Sequence, residues 1–425
     1  MARRADVVIG SAFGDEGKGL ITDVLAARDP GDTLVVRFNG GAQAGHTVVT
    51  PEGKRHVFSH FGSGTLSGAA TFLSRFFVCN PVLFQAERER LQALGVSPQV
   101  FIDPRAAVTT PFDMFVNTAL EQRRGTSRHG SCGVGFGETV GRSEAGTFTL
   151  TVADLTRADG EKAVRAIRDQ WLPQRLAELD LQMTAQERAT MLSEALFSKF
   201  MNDVARMLES STLAGQQVLR LAGHVVFEGA QGLLLDQKMG CFPYVTRSHT
   251  GLRNVGALIA AAGITSLNVH YVLRPYLTRH GAGSLPGELA QPPYAAIIDH
   301  TNVPNPWQGT LRFALQNIDL LRASIARDLR HAELPGHVEV SKRLAVTCLD
   351  QVGDGVRFRQ DDAELSAGPE AFVLRCMQAV GAHLARACYA PERSRCAYLA
   401  LPRKQRASAR PHSPLTPGTQ RSAYP

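Results

Sequence analysis

The stretch Asp6–Gly19, DVVIGSAFGDEGKG, decides the fold. Its first half is a short apolar run ending in glycine and small residues. Its second half is glycine-rich, and it leads into GLITDVLAA, where Leu20, Ile21, Val24 and Leu25 fall at helical spacing. Strand, glycine loop and helix in that order form the arrangement in which backbone N–H groups and a helix dipole cradle phosphate. The loop departs from the common G-x-x-x-x-G-K-[ST] pattern. Ala12 stands where the first glycine belongs, Gly19 replaces the hydroxyl residue after Lys18, and Asp15 and Glu16 lie inside the loop. Gly14, Gly17 and Gly19 let backbone approach a ligand, and Lys18 reaches phosphate as a point charge. Asp15 is placed to hold magnesium in place of the missing hydroxyl, to take a proton, or both.

The same alternation continues along the chain. TLVVRFNGG (33–41) and HVVFEGAQG (224–232) read as buried strands breaking into glycines. VHYVLRPY (269–276), RLAVTCLD (343–350) and FFVCN (76–80) read as further strands. LFQAERERLQALG, VGALIAAAG and PEAFVLRCMQAVGAHLARA read as helices. Residues 153–215 are charged and helical, with a capping box at Thr184–Glu187 and a break expected at Pro173. The expectation is an α/β fold: a P-loop-like, mostly parallel central sheet flanked by helices, with helical insertions. One large domain over 1–402 is expected, with 153–215 as an insertion and 403–425 as a basic, disordered tail.

The 425 residues are 44% hydrophobic and 20% charged, the profile of a globular protein. No stretch approaches the ~20 apolar residues of a membrane span. MARRADVVIG lacks the apolar core and cleavage site of a signal peptide, so a cytoplasmic protein is expected. The net charge of +7 invites a nucleic-acid reading. The tail holds five of those positive charges (Arg403, Lys404, Arg406, Arg410, Arg421) and no acid, leaving +2 for the body, so nucleic acid is not the expected partner. Seven scattered cysteines without a C-x-x-C suggest neither a disulfide framework nor zinc; reduced, packed thiols are expected.

A second segment, NGGAQAGHTV (39–48), places His46 in a glycine-rich loop close after the phosphate loop. A histidine there can donate to charge developing on a transferring phosphoryl group. With this segment the chain closely resembles the adenylosuccinate synthetases, which join IMP to L-aspartate while hydrolysing GTP. The resemblance runs in order through GSCGVGFGETVGR (130–142), FEGAQGLLLDQKMGCFPYVTRSHT (227–250), TRHGAGSLPGEL (278–289), VTCLD (346–350) and YAPERS (389–394).

The resemblance implies roles. Asp15 matches the base that removes the hypoxanthine N1 proton, and His46 the acid that assists phosphoryl transfer from GTP to O6. The resulting 6-phosphoryl nucleotide is then attacked by the amine of aspartate. Lys18 matches a lysine at the phosphoryl site. Asp15 and the carbonyl of Gly45 match ligands of Mg2+. Gly14, Glu16, Gly17, Gly19, Thr47, Asp350 and Pro391 join Lys18 and Gly45 around GTP, Asp350 supplying the acceptor pair that guanine requires. Gln43, Gly130, Ser131, Gln231 and Thr246 fall to the nucleotide acceptor. Arg142 matches an arginine that reaches across a homodimer interface to the nucleotide phosphate.

Two departures stand out. Cys348 replaces the lysine of the family's guanine loop. The family's arginine-rich aspartate loop is replaced by DHTNVPNPWQGTLR (299–312), where Thr301, Asn302 and Arg312 are the remaining candidates. Bidentate arginines are the natural grip on a dicarboxylate. Either other arginines, such as Arg274, Arg279 or Arg312, serve instead, or the substrate differs. Three readings follow: a synthetase of IMP and aspartate, a paralogue for another purine nucleotide such as (d)GMP or another amine, and a GTP-binding regulator without ligase activity. Retention of Asp15, Lys18, His46 and Gln231 together argues against the regulator.

Overall fold

The computed structural model describes residues 3–125, 128–260, 262–299 and 309–401. Ten strands form the main sheet: β1 (Arg3–Gly10), β2 (Thr33–Arg37), β3 (Ala70–Leu73), β4 (Val100–Ile102), β5 (Thr212–Leu213), β6 (His224–Gly232), β7 (Ile264–Leu273), β8 (Glu339–Val346), β9 (Leu384–Cys388) and β10 (Cys396–Ala400). Their spatial order is β10-β9-β8-β7-β1-β6-β2-β3-β4-β5, and every pairing is parallel except β9–β10.

The opening run explains why β1 is central. Residues 5–10 are all buried, as a parallel strand covered on both faces must be. Ala5, Val7 and Ile9 enter the larger core, while Val8 packs on the other face with Leu20, Ile21 and Leu25 of the helix Lys18–Ala26. A second core lies under the helices Pro81–Ala93, Pro111–Arg124 and the helical block ending in Glu194–Glu209. The Thr184–Glu187 capping box is present. A smaller sheet combines Tyr276–Arg279, Glu288–Leu289, Arg312–Asn317, Val356–Gln360 and Ala363–Ala367.

Several local expectations are corrected. The run 269–276 is not one strand: Pro275 has no N–H for the ladder, so β7 ends at Leu273 and the chain restarts at Tyr276 in the smaller sheet. The helix expected over 369–387 stops at Val380, where Gly381 takes φ 67°, and 384–388 becomes β9. Pro173 does not break its helix, because a π-helical turn over Ile167–Trp171 precedes it and leads directly into Leu172–Glu178. FFVCN forms isolated bridges at Val78 and Cys79 rather than a strand. Cys388 and Cys396 face each other across β9 and β10 and are joined as a disulfide, not left as thiols. Among the described residues no helix is long and apolar enough to cross a membrane.

Candidate active site

A cleft of about 1060 Å³ opens above the carboxyl ends of β1, β2, β6, β7 and β8, where open α/β sheets bind ligands. Its wall contains Asp15, Gly17, Lys18, Gly19, Gln43, Gly45, His46, Thr47, Gly130, Ser131, Gln231, Thr246, Asp350 and Pro391. Fourteen of the twenty candidates named from the sequence thus line one cleft; Gly14, Glu16, Arg142 and Arg312 do not, and Thr301 and Asn302 lie outside the described residues.

The opening loop is held by its own acid. Glu16 is buried, and its carboxylate accepts from the N–H groups of Ala12 (3.0 Å) and Gly14 (2.9 Å) and pairs with Lys18 Nζ at 3.2 Å. Its side chain is therefore an internal clasp and not part of the cleft wall. Gly17 has φ 92° and caps the helix Lys18–Ala26, aiming the helix N-terminus at the cleft. A Cβ at Gly17 would fall 2.9 Å from Thr347 Cγ2, and Thr347 Oγ1 donates to Glu16 O at 2.7 Å. Asp15 and Gln231 both adopt φ 62°, a conformation that costs non-glycine residues about 1–3 kcal/mol and often marks functional sites. A Cβ on Gly232 would sit 2.3 Å from Ala12 O, so only glycine lets the β6 loop lie against the phosphate loop.

His46 opens a two-stranded ribbon, His46–Val49 with Arg55–Phe58. Its Nδ1 lies 2.6 Å from Glu228 Oε1 in β6. Glu228 also accepts from Ser63 N at 3.0 Å and from the Ser63 hydroxyl, and Arg37 Nη1 stands 3.7 Å from its other oxygen. Burial pulls the His46 imidazole down to about 4, against the favourable charge of Glu228. Burial pushes the Glu228 carboxyl up, but His46 and Arg37 outweigh that and hold it ionised. With Nδ1–H given to Glu228, Nε2 is the nitrogen left for a ligand, and an anion brought against it favours the imidazolium. Sequence reasoning missed Glu228 and Arg37, because a glutamate and an arginine inside apolar strands carry no signal until the strands are side by side.

The nucleotide-acceptor candidates fare unevenly. Both amide atoms of Gln43 are enclosed without a hydrogen-bond partner among the described residues, which suits a residue awaiting a ligand. The N–H groups of Gly130 (3.1 Å) and Ser131 (3.4 Å) donate to Glu121, and the Ser131 hydroxyl donates to Asn117 at 2.9 Å, so this loop's donors turn inward. Arg142 is not brought to the cleft. It is buried, its Nε and Nη2 grip Asp113 at 2.9 and 3.0 Å, Nη2 also donates to Val108 O, and Nη1 donates to Phe148 O. Four of its five N–H donors are thus engaged within its own chain. Arg312 pairs with Glu288 and donates to Gly281 O and Gly283 O at 2.9 and 2.8 Å. Thr301 and Asn302 lie outside the described residues.

The oxygens of Asp15 and of the Gly45 carbonyl on the cleft wall are hard donors that fit Mg2+, which is typically held by one or two carboxylates plus substrate phosphates and water. Among the described residues no cluster of three His, Cys, Asp or Glu exists that could bind a metal without such help.

The family model of adenylosuccinate synthetase matches residues 7–303, more than half of the chain. The chain belongs to the adenylosuccinate synthetase family. It is 35% identical over 298 residues to an adenylosuccinate synthetase of Paraburkholderia phytofirmans, covering 67% of this chain and 62% of that protein, and 34% identical over 296 residues to one of Burkholderia lata. The match thus spans less than two thirds of these relatives' length. In solved structures the fold is shared with the fully ligated adenylosuccinate synthetase of Plasmodium falciparum (TM-score 0.71, 15% identity, 92% of this chain and 99% of that one). It is also shared with the cyanophage S-2L succinoaminodeoxyadenylate synthetase bound to dGMP and dATP (TM-score 0.59, 14% identity, 96% of this chain and 100% of that one). These membership findings confirm the family and the mixed α/β fold expected from the motifs.

Proposed function

We propose that this member of the family is a ligase that joins an amine donor to C6 of a purine nucleotide at the expense of GTP, with IMP and L-aspartate as the lead pair. The observation that carries the reading is the pairing in one cleft of Asp15 with a His46 whose Nδ1 is fixed by Glu228. Asp15 takes the N1 proton of the base, which makes O6 nucleophilic toward the γ-phosphate. His46, charged and backed by Glu228, donates from Nε2 to the oxygen where charge develops, while Lys18 and the helix N-terminus hold the phosphates. Mg2+, held by Asp15 and the Gly45 carbonyl, would neutralise charge on the triphosphate. The amine of the donor then displaces phosphate from C6. Gln231, Thr246 and Gln43 face the acceptor nucleotide, and Asp350 and Pro391 the guanine.

A second reading has a specific support. The loop that grips aspartate in the family is replaced here, and the fold is shared with an enzyme bound to dGMP. A (deoxy)guanine nucleotide is accordingly the alternative acceptor. The deciding experiment offers IMP, dIMP, GMP and dGMP, each with GTP, magnesium and aspartate or other amino acids, and identifies products by mass. A product in which the aspartate nitrogen replaces O6 of IMP supports the lead pair, and the corresponding product of a guanine nucleotide supports the second reading. Triphosphate consumption that depends on no acceptor would sink both.

A further inference from the structure

Three arginines stand near enough to replace the arginines absent from 299–312, and the structure distinguishes them. Arg279 donates from Nε to Ala282 O (3.1 Å), from Nη1 to Ser284 O (2.8 Å) and from Nη2 to Tyr244 O (3.2 Å), so its fork is spent on backbone. Arg312 is spent on Glu288 and two carbonyls. Arg274 differs. It stands just past the end of β7, between the phosphate loop after β1 and the Thr347–Gln351 loop after β8, and it lines the cleft. Its side chain is only 11% exposed, yet Nε is buried without a hydrogen-bond partner, and its ion pair, with Asp299 Oδ2, is a long 3.4 Å. Burial opposes its charge, but Cys348, Tyr276, Asp299 and Asp15 more than offset that. A buried guanidinium whose Nε lacks a partner and whose Nη2 contact is long, set in a cleft, calls for an oxyanion. The carboxylate of Asp299 already leans on the fork, which shows the approach a ligand carboxylate would take.

Resting on the ligase reading, we infer that Arg274 is the anchor for a carboxylate of the amine donor, exchanging Asp299 for it, and so sets which donor is accepted. The break at Pro275 is what makes this possible, since it frees Arg274 from the ladder beside Asp15.

Steady-state kinetics of Arg274→Gln, Arg274→Lys and Asp299→Asn test it. In Arg274→Gln the KM for the amine donor rises about tenfold or more, while the KM values for triphosphate and purine nucleotide stay within about twofold and kcat at saturating donor is largely kept. Arg274→Lys recovers part of the loss, and Asp299→Asn, which removes the competing carboxylate, lowers the donor KM. A rise confined to the triphosphate KM would assign the fork to phosphate and overturn the inference. So would an unchanged donor KM, or a uniform fall in kcat with a lowered melting temperature. Wild-type protein that consumes no triphosphate with any acceptor and donor overturns the ligase reading itself, a result read before any variant is made.

Discussion

Nδ1 of His46 lies 2.6 Å from Oε1 of Glu228, a residue 182 positions further along the chain. The contact fixes the ring's orientation and leaves Nε2 toward the cleft. It also supplies the negative charge that an imidazolium needs when a phosphoryl group is in transfer.

Glu228→Gln separates those two contributions. Glutamine still accepts the Nδ1–H bond but cannot stabilise the imidazolium. Turnover falls about 10²–10⁴-fold, the range of general acid catalysis, while binding of a fluorescent GTP analogue changes little. A variant with near-normal kcat would remove His46 from the role of acid.

The same pair dictates how stability follows pH. His46 has an ordinary value of 6.5 and a folded value of about 4. Between those values the unfolded chain binds the proton and the folded one does not, so stability rises with pH from about 4 to 6.5 and is lost on acidification through that window. Glu228, depressed in the folded state from 4.5, adds a further loss below pH 4.5. Urea midpoints measured between pH 4.5 and 7 should fall toward acid in the wild type and flatten in His46→Asn, and parallel slopes would contradict the buried neutral imidazole.

Gly17→Ala places a methyl 2.9 Å from Thr347 Cγ2 at a φ of 92°. A cost of about 1–3 kcal/mol is expected from the backbone alone, together with a raised triphosphate KM. Adding Thr347→Ser removes the clashing methyl, keeps the hydroxyl that donates to Glu16 O, and recovers the steric part only. Full recovery in the double variant would show that φ imposes no strain.

Arg142→Leu leaves the Asp113 carboxylate buried without its cation. Such losses run to about 3–5 kcal/mol, so a lowered melting temperature is the expected result. A well-folded Arg142→Leu protein with a raised nucleotide KM would instead return this arginine to a binding role.

Much of the site was legible because glycine-rich loops after apolar strands are local signals. Asp15, Lys18, His46 and Gln231 stand in or beside such glycine-rich segments, and they line the cleft together with Asp350. Arg142 and Glu16 were legible as charged residues in the right motifs, but not in orientation. Both point inward, because Asp113 and the loop's own N–H groups compete for them at hydrogen-bond distance. Arg274 reads in sequence as one residue of a strand, and only the chain's transfer between sheets at Pro275 shows it as a cleft residue.

Periodicity and loop composition act over a few neighbours, so the strand-loop-helix alternation could be read locally, and ordered motifs carried the resemblance to the family. Tertiary structure alone decided which charges are spent and which are available. That choice depends on side chains far apart in sequence being packed together: Glu228 against His46, Asp113 against Arg142, and three carbonyls around Arg279, while Arg274 keeps Nε without a partner.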